Sequence, residues 1–258
     1  MNLELKNKNA LVCGSTQGIG KATAILLANE GANVTLLARN EDKLKSVLGE
    51  LPNNNQKHNY LVADFSKPDD LKEVLDASGK DFHILVNNTG GPAGGAIYNA
   101  EIGEFEKAFT QHLKCNHILV QAVVPFMRQE SYGRIINVIS TSVKQPLDGL
   151  GVSNTIRGAV ANWSKTLANE LGQFSITVNN VLPGATNTER LSEIIKNKSA
   201  KTGLSIEEVS SIMMNASPAK RFAKPEEIAN AIVFLASNKA SYINGINVPV
   251  DGGRTKSL

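Results

Sequence analysis

Short β-branched and apolar runs alternate with longer amphipathic segments along nearly the whole chain. The longer segments place apolar residues at i, i+3, i+4 and i+7, the period of a helix with one buried face. Seven short runs are predicted as strands: NALVCG, NVTLLAR, HNYLVAD, FHILVNN, GRIINVIS, ITVNNVLPG and NVPV. This alternation is typical of βαβ units, so we predict an α/β fold with a doubly wound, Rossmann-type parallel sheet of about seven strands and helices on both faces.

The composition indicates a single globular domain. The 258 residues are 41% hydrophobic and 20% charged, and we find no linker or repeat, so we predict one domain over 1–258. The net charge is +3, with scattered Lys and Arg, which argues against nucleic-acid binding. Neither a membrane-length apolar run nor the apolar core of a signal peptide is present, so we expect a cytoplasmic protein without membrane contacts.

The two cysteines carry no motif. Cys13 and Cys115 lie in apolar segments far apart in the sequence, outside any CxxC or Cys/His pattern. We therefore predict buried free thiols rather than a disulfide or a metal site.

A polar, Ser/Lys/Asn-rich segment over 186–216 interrupts the alternation. Long insertions in compact domains are usually lids or disordered loops. Because this one would leave the carboxyl edge of the sheet, where ligands bind, we predict a substrate lid within the domain.

A glycine-rich turn, GSTQGIG, follows the first predicted strand and opens a helix. Such glycines permit a tight turn, and the helix N-terminus offers unpaired N–H groups to a phosphate. The spacing is Gly-x-x-x-Gly-x-Gly, and a plain βα turn is the alternative reading. In this context we predict dinucleotide binding. The predicted contacts are Gly14, Ser15, Gln17, Gly18, Ile19 and Gly20.

The second predicted strand ends in LLARN, where a dinucleotide site reads the adenosine ribose. An acid here binds the 2′-hydroxyl of NAD, whereas a base accommodates the 2′-phosphate of NADP. Arg39 can donate paired, charge-assisted hydrogen bonds to a phosphate, although a solvated arginine is the alternative. We predict that NADP(H) is favoured over NAD(H).

The order of these and later motifs resembles the short-chain dehydrogenase/reductase family nearly end to end. NNTG at 87–90 is similar to the family's Asn-Asn-Ala-Gly, with Thr89 in place of alanine, and the C-terminal tail resembles that of bacterial oxoacyl reductases. The resemblance implies a Rossmann fold, an NAD(P)-dependent oxidoreductase and a small-molecule carbonyl substrate. It also implies cofactor contacts at Asp64, Asn88, Gly90, Arg157, Pro183, Gly184 and Thr188.

The family's catalytic set is an Asn, a Ser, a Tyr and a Lys. Asn116 and Ser140 match the first two, although either could have a purely local structural role. The family spacing from Ser140 places Ser153 at the tyrosine position and Arg157 at the lysine position. In the family, the phenol protonates the carbonyl oxygen while the lysine lowers the phenol pKa and holds the nicotinamide ribose.

Ser153 is a far weaker acid than a phenol and has a shorter side chain. Arg157 keeps the positive charge and can hold ribose hydroxyls, but it does not relay protons as lysine can. The resemblance therefore implies that the cofactor-holding role survives better than the proton-donating one. We treat Ser140, Asn116, Ser153 and Arg157 as the candidate catalytic residues.

Three interpretations remain open. In the first, the protein is a reductase whose proton comes from another source: a water held by Ser140, Ser153 and Asn154, or Tyr98, or Lys144. In the second, the pocket binds NADP(H) without turnover and serves as a sensor or an assembly partner. In the third, the site runs a non-redox reaction. Because so much of the pocket is kept, we favour the reductase.

Two further segments carry weaker signals. TGGPAGG at 89–95 is a flexible linker or a source of N–H donors to an oxyanion or phosphate. The predicted helices around 104–129 and 152–172 are more apolar than one buried face needs. Because the equivalent helices pair between subunits in the family, we expect a homotetramer or a homodimer.

Overall fold

The computed structural model describes residues 2–257 and contains a single parallel sheet. Its strands are Asn9–Cys13 (β1), Asn33–Ala38 (β2), Asn59–Val62 (β3), Ile84–Asn87 (β4), Gly133–Val138 (β5), Ile176–Pro183 (β6) and Asn247–Val250 (β7). Their order across the sheet is β3-β2-β1-β4-β5-β6-β7. The predicted seven-stranded parallel sheet is confirmed.

Helices cover both faces of the sheet. In the described range they are Gly18–Asn29 (α1), Glu41–Glu50 (α2), Pro68–Ser78 (α3), Ile102–Phe109 (α4), Cys115–Gln129 (α5), Gly151–Leu171 (α6), Glu189–Thr202 (α7), Ile206–Asn215 (α8) and Pro225–Leu235 (α9). One core cluster joins α1, α2 and α9 to the sheet through side chains such as Leu27 and Ile232. A second joins α3, α5 and α6 through side chains such as Leu71 and Leu119.

The predicted long helix over 104–129 contains a change of geometry. A π-helical turn, Thr110–Lys114, joins α4 to α5. Such turns occur frequently at functional sites. This one ends two residues before Asn116 and carries the His112 side chain into the interior, where it is 1% exposed.

The 186–216 segment is a helical hairpin rather than a disordered loop. α7 and α8 pack together through Leu191, Ile195 and Val209. The Thr188 hydroxyl accepts a hydrogen bond from the Leu191 N–H and caps α7, and a reciprocal capping box opens α8. The hairpin follows β6 at the carboxyl edge, and its role as a lid stays a prediction.

Cys13 and Cys115 are both free and buried, as predicted. Across residues 2–257, none of the helices has the length and apolar character that crossing a bilayer requires.

Candidate active site

The ends of β1 and β4 meet where the strand order reverses, the position at which open α/β sheets bind ligands. Gly14 follows β1 with a φ of +57°, and a Cβ there would lie 2.5 Å from the carbonyl oxygen of Asn88. A Cβ at Gly20 would lie 2.2 Å from the carbonyl oxygen of Gly14. Only glycine fits at both positions, so the backbone itself forms a tight cradle.

The amino end of α1 is open to an anion. Gln17 is its N-cap residue, but no side chain caps the helix; the Gln17 amide oxygen instead accepts from Lys43 Nζ at 3.3 Å. The first N–H groups of such a helix attract negative charge. A Cβ on Gly18 would lie 3.0 Å from Cγ2 of Thr188, so the loop after β6 closes on the cradle from the other side.

Two residues predicted to contact the cofactor support the loop with their side chains. Ser15 is fully buried, and its hydroxyl accepts a hydrogen bond from the backbone N–H of Leu37 at 3.1 Å. Ile19 packs against the core beneath α1. At both positions the side chain is used within the protein, so a contact to a cofactor would come from the backbone.

Charged groups gather beyond the end of β2. Arg39 is exposed there, and Asp64 follows β3. The backbone N–H of Ser66 donates to Asp64 Oδ1 at 2.8 Å and lowers the pKa of that carboxyl, with a further lowering from the Arg39 charge. Lys43, on α2, is a second cation beside the glycine loop. Sequence reasoning missed Lys43, for which the available signal was its spacing of four from Arg39 at the start of a predicted helix.

Ser140 lies two residues beyond β5 and is half-buried. Its Oγ accepts a hydrogen bond from the Ser142 N–H at 3.1 Å, which leaves the Ser140 O–H free to donate. The Ser142 hydroxyl is buried, and no hydrogen-bond partner for it lies within residues 2–257. The Ser140 hydroxyl, held by the Ser142 N–H, therefore keeps its hydrogen for a further acceptor.

α6 places Ser153 half-buried and Arg157 buried on the same side of the helix. Arg157 Nη1 donates to the carbonyl oxygen of Val138 at 3.0 Å, which fixes the guanidinium beside the end of β5. Burial lowers the pKa of Arg157 to about 10, so the side chain is still charged at neutral pH. Asn116 is buried on α5, 6% exposed, and is the second residue after the π-helical turn.

Three groups predicted to supply a proton or a hydrogen bond either bond to the protein itself or lie in solvent. The side-chain amide of Asn154 donates to the Leu147 carbonyl at 2.9 Å, so it is committed to the preceding loop. Tyr98 is 95% exposed, and its phenol is not held in a pocket. The N–H of Gly95 donates to the carbonyl oxygen of Gly149 at 2.8 Å, so the prediction of free N–H donors at 89–95 is wrong at this residue.

The structure adds a pair that sequence reasoning did not identify. The hydroxyl of Thr89 lies 2.6 Å from Nδ1 of His112. Burial, and secondarily the charge of Arg157, lower the pKa of His112 to about 2, so the ring is neutral. Thr89 in place of the family's alanine was the available signal, but no local pattern connects it to a histidine 23 residues later.

The loop after β6 is fixed by its contact with β7. The Gly184 N–H donates to the carbonyl oxygen of Val250 at 2.9 Å, and a Cβ on Gly184 would lie 2.7 Å from Cα of Asp251. Pro183 is the last residue of β6, so Pro183, Gly184 and Thr188 all lie at the same edge of the sheet as Gly14.

The cradle, the uncapped helix N-terminus and the closing loop together fit a dinucleotide, since a backbone without Cβ atoms can approach a pyrophosphate closely. A family model described as enoyl-(acyl carrier protein) reductase matches residues 14–255. The chain belongs to the short-chain dehydrogenase/reductase family. It is therefore an NAD(P)-dependent oxidoreductase by family, on a single Rossmann-fold domain.

Its relatives in the family include several named reductases. The chain is 33% identical to the 3-oxoacyl-[acyl-carrier-protein] reductase FabG of Staphylococcus epidermidis, over 96% of this chain and 98% of that protein. It is 29% identical to the NADPH-dependent reductase BacG of Bacillus subtilis, over 98% and 100% of the two chains. The crystal structure of L-sorbose reductase from Gluconobacter frateurii, complexed with NADPH and L-sorbose, superposes with a TM-score of 0.93 at 32% identity, with both chains fully covered.

Proposed function

We propose that the protein reduces a ketone or aldehyde with NADPH by hydride transfer and that it does so without the family's tyrosine. One observation carries the proposal. The cofactor cradle at β1 and β4 adjoins β5, just beyond which Ser140 holds a hydroxyl whose hydrogen is free to donate. When bound, NADPH supplies the hydride, and Ser140 donates a hydrogen bond to the oxygen on which negative charge develops.

The preference for NADP(H) over NAD(H) is supported by Arg39 and Lys43, two cations near the position where the adenosine ribose binds. Of the three similar proteins named above, two are described with NADPH: the reductase BacG and the L-sorbose reductase. We assign the further cofactor contacts to Asp64, Asn88, Gly90, Arg157, Pro183, Gly184 and Thr188, together with the backbone of the 14–20 loop.

The substrate class follows from the relatives and remains broad. A 3-oxoacyl thioester and a ketose are the two carbonyl types that the names of similar proteins suggest. Ser153 leaves space where the family has a phenol, so we expect the carbonyl oxygen to be held by Ser140, with Asn116 and Ser153 contributing from the helices.

A second function has its own supporting observation. Arg157 is buried and tethered to the Val138 carbonyl, and Ser153 has no phenol to offer. A chain that binds NADP(H) as a sensor or an assembly partner, with no turnover, would tolerate this pair of substitutions.

The test is NADPH consumption by the purified protein with acetoacetyl-CoA, L-sorbose and a set of diketones. Ser140→Ala is run beside it, and a Ser153→Tyr/Arg157→Lys double variant serves as a positive control for an intact pocket. Turnover by the wild type that Ser140→Ala removes supports the reductase. Turnover by the double variant alone supports the sensor.

We also propose a homotetramer or homodimer in the cytoplasm. Ile102 and Phe109, both on α4, are 72% and 48% exposed, which is unusual for large apolar side chains on one helix. Light scattering coupled to size exclusion measures the mass; a monomer at micromolar concentration contradicts this assembly.

A further inference from the structure

We propose that Thr89 is a catalytic residue of this reductase, the hydroxyl that donates to the reacting oxygen in place of the absent phenol, with His112 as its positioning residue. The inference rests on the proposed reductase function and names the missing hydrogen-bond donor of that site.

The position of Thr89 fits this role. Asn87, the last residue of β4, pairs with Asn137 of β5, and Thr89 and Ser140 lie in the segments that follow these two strands. Neighbouring strands lie about 4.8 Å apart, so Thr89 and Ser140 follow adjacent strands at the carboxyl edge of the sheet. Thr89 is half-buried, whereas His112 beside it is 1% exposed.

The unpaired nitrogen of His112 decides which way the hydrogen bond runs. Nδ1 contacts the Thr89 hydroxyl, but Nε2 is buried and has no hydrogen-bond partner among residues 2–257. A neutral imidazole carries one N–H and one lone pair. An orphaned buried N–H is rarer and more costly than an orphaned acceptor, so the proton belongs on Nδ1. His112 therefore donates to Thr89, and the Thr89 hydroxyl hydrogen is left to point at a ligand.

Arg157 acts on this pair through its charge. The guanidinium is fixed by the Val138 carbonyl, and its field disfavours a second proton on His112. The same positive field stabilises negative charge that develops on the Thr89–His112 pair when a proton leaves it. Arg157 thus replaces the lysine of the family in one respect: it makes a neighbouring hydroxyl a better donor without transferring a proton itself.

The hydride from NADPH adds to the carbonyl carbon, and the C=O π electrons move to the oxygen. That oxygen takes the Thr89 hydroxyl proton, and Thr89 takes the Nδ1 proton of His112. A hydronium ion that reaches the half-buried Thr89 returns one proton to the pair and leaves as water before the next turnover. The net change is carbonyl plus NADPH plus one proton to alcohol plus NADP⁺.

The test uses three substitutions at Thr89 and His112 and measures turnover, binding and the His112 tautomer. Thr89→Val removes the hydroxyl at constant volume, Thr89→Ser retains it, and His112→Gln retains a donor amide. Thr155→Val, an exposed hydroxyl that bonds the Gly151 carbonyl on α6, is the matched control. For each we would measure kcat and KM with acetoacetyl-CoA and L-sorbose, and NADPH affinity by fluorescence. The His112 tautomer is read from the ¹⁵N spectrum of histidine-labelled protein without cofactor.

We expect Thr89→Val to lower kcat by about 100-fold or more, the usual worth of a lost proton donor. Thr89→Ser should stay within about fivefold of the wild type, and His112→Gln should lower kcat by about tenfold. NADPH affinity and KM should be unchanged in all three variants. The ¹⁵N spectrum of the wild type should show a proton on Nδ1 of His112. Thr155→Val should behave as the wild type.

Two results would overturn the role of Thr89 and leave the reductase function in place. They are a wild-type kcat in Thr89→Val and a spectrum that shows the His112 proton on Nε2. Failure of the proposed function looks different. The wild type would then bind NADPH yet reduce neither probe, and the Thr89 role would be lost together with the reductase.

Discussion

At the ends of β1 and β4 the backbone segments approach each other so closely that an added Cβ does not fit between them. Beyond β5 and on α6, by contrast, the site is made of side chains. In the first region, the cofactor cradle, Gly14 and Gly20 permit a single arrangement. We call the second region the catalytic edge after its proposed role. There Ser140 Oγ accepts from a backbone N–H, Arg157 donates to a backbone carbonyl, and Thr89, just after β4, contacts the His112 ring. The comparison teaches that a backbone-defined site resists change, while a side-chain-defined site can exchange its donor and keep its shape.

The sharpest way to break the cradle is Gly20→Ala. Its Cβ would lie 2.2 Å from a backbone oxygen, so the loop must move. Overpacking of this kind costs about 2–3 kcal/mol, or about 30- to 150-fold in NADPH affinity if the loop rearranges on binding. Fluorescence titration with NADPH measures the effect. Gly49→Ala in α2, where no atom lies within 4 Å of the new Cβ, is the control and should bind normally.

On the catalytic edge the corresponding test is Ser140→Ala. Loss of one preorganised donor to a developing oxyanion costs about 10²- to 10³-fold in kcat. Ser142→Ala is a matched control two residues away, because that hydroxyl has no partner in the described chain and its loss leaves the N–H that holds Ser140. Steady-state rates for the two variants separate the roles. Equal rates would mean that Ser140 is not a donor in the reaction.

These two regions also differ in how far the sequence predicts them. Strand alternation is a local signal, and the seven-stranded parallel sheet that it predicts is confirmed. The glycine pattern and Arg39 are also local signals, and the cofactor contacts that they predict stay predictions. The Thr89–His112 pair joins the segment after β4 to a π-helical turn, so no local spacing reveals it. The helical hairpin at 186–216 was obscured by its polar surface, since only three buried apolar residues hold it together.

Arg39 tests the preference of the site for NADPH over NADH. Arg39→Ala removes a charged hydrogen-bond donor to the 2′-phosphate, worth about 1.5–3 kcal/mol, so NADPH affinity should fall about 10- to 100-fold while NADH affinity stays unchanged. Lys45→Ala, whose ammonium is paired with Glu41 at 2.9 Å, is the neighbouring control. A parallel loss for both cofactors would place Arg39 in the fold rather than in 2′-phosphate recognition.

The smallest effect concerns stability against pH. His112 is neutral when folded, with its pKa lowered to about 2 by burial and by Arg157, from 6.5 when unfolded. Because the unfolded chain gains a proton below pH 6.5 and the folded chain does not, stability falls as pH falls, by about 1 kcal/mol between pH 7 and 5.5. Urea unfolding of wild type and His112→Gln measures this. Identical pH slopes would show that His112 titrates in the folded protein.

Transfer of deuterium from the cofactor to the product shows whether this site transfers hydride without the phenol. The protein is incubated with acetoacetyl-CoA or L-sorbose and NADPH deuterated at the transferable position, and the product alcohol is examined by mass spectrometry. We predict deuterium at the carbinol carbon with the wild type, and deuterium incorporation about 10²- to 10³-fold slower with Ser140→Ala. NADPH that binds the cradle but leaves no deuterium in either product would contradict the claim and favour the sensor.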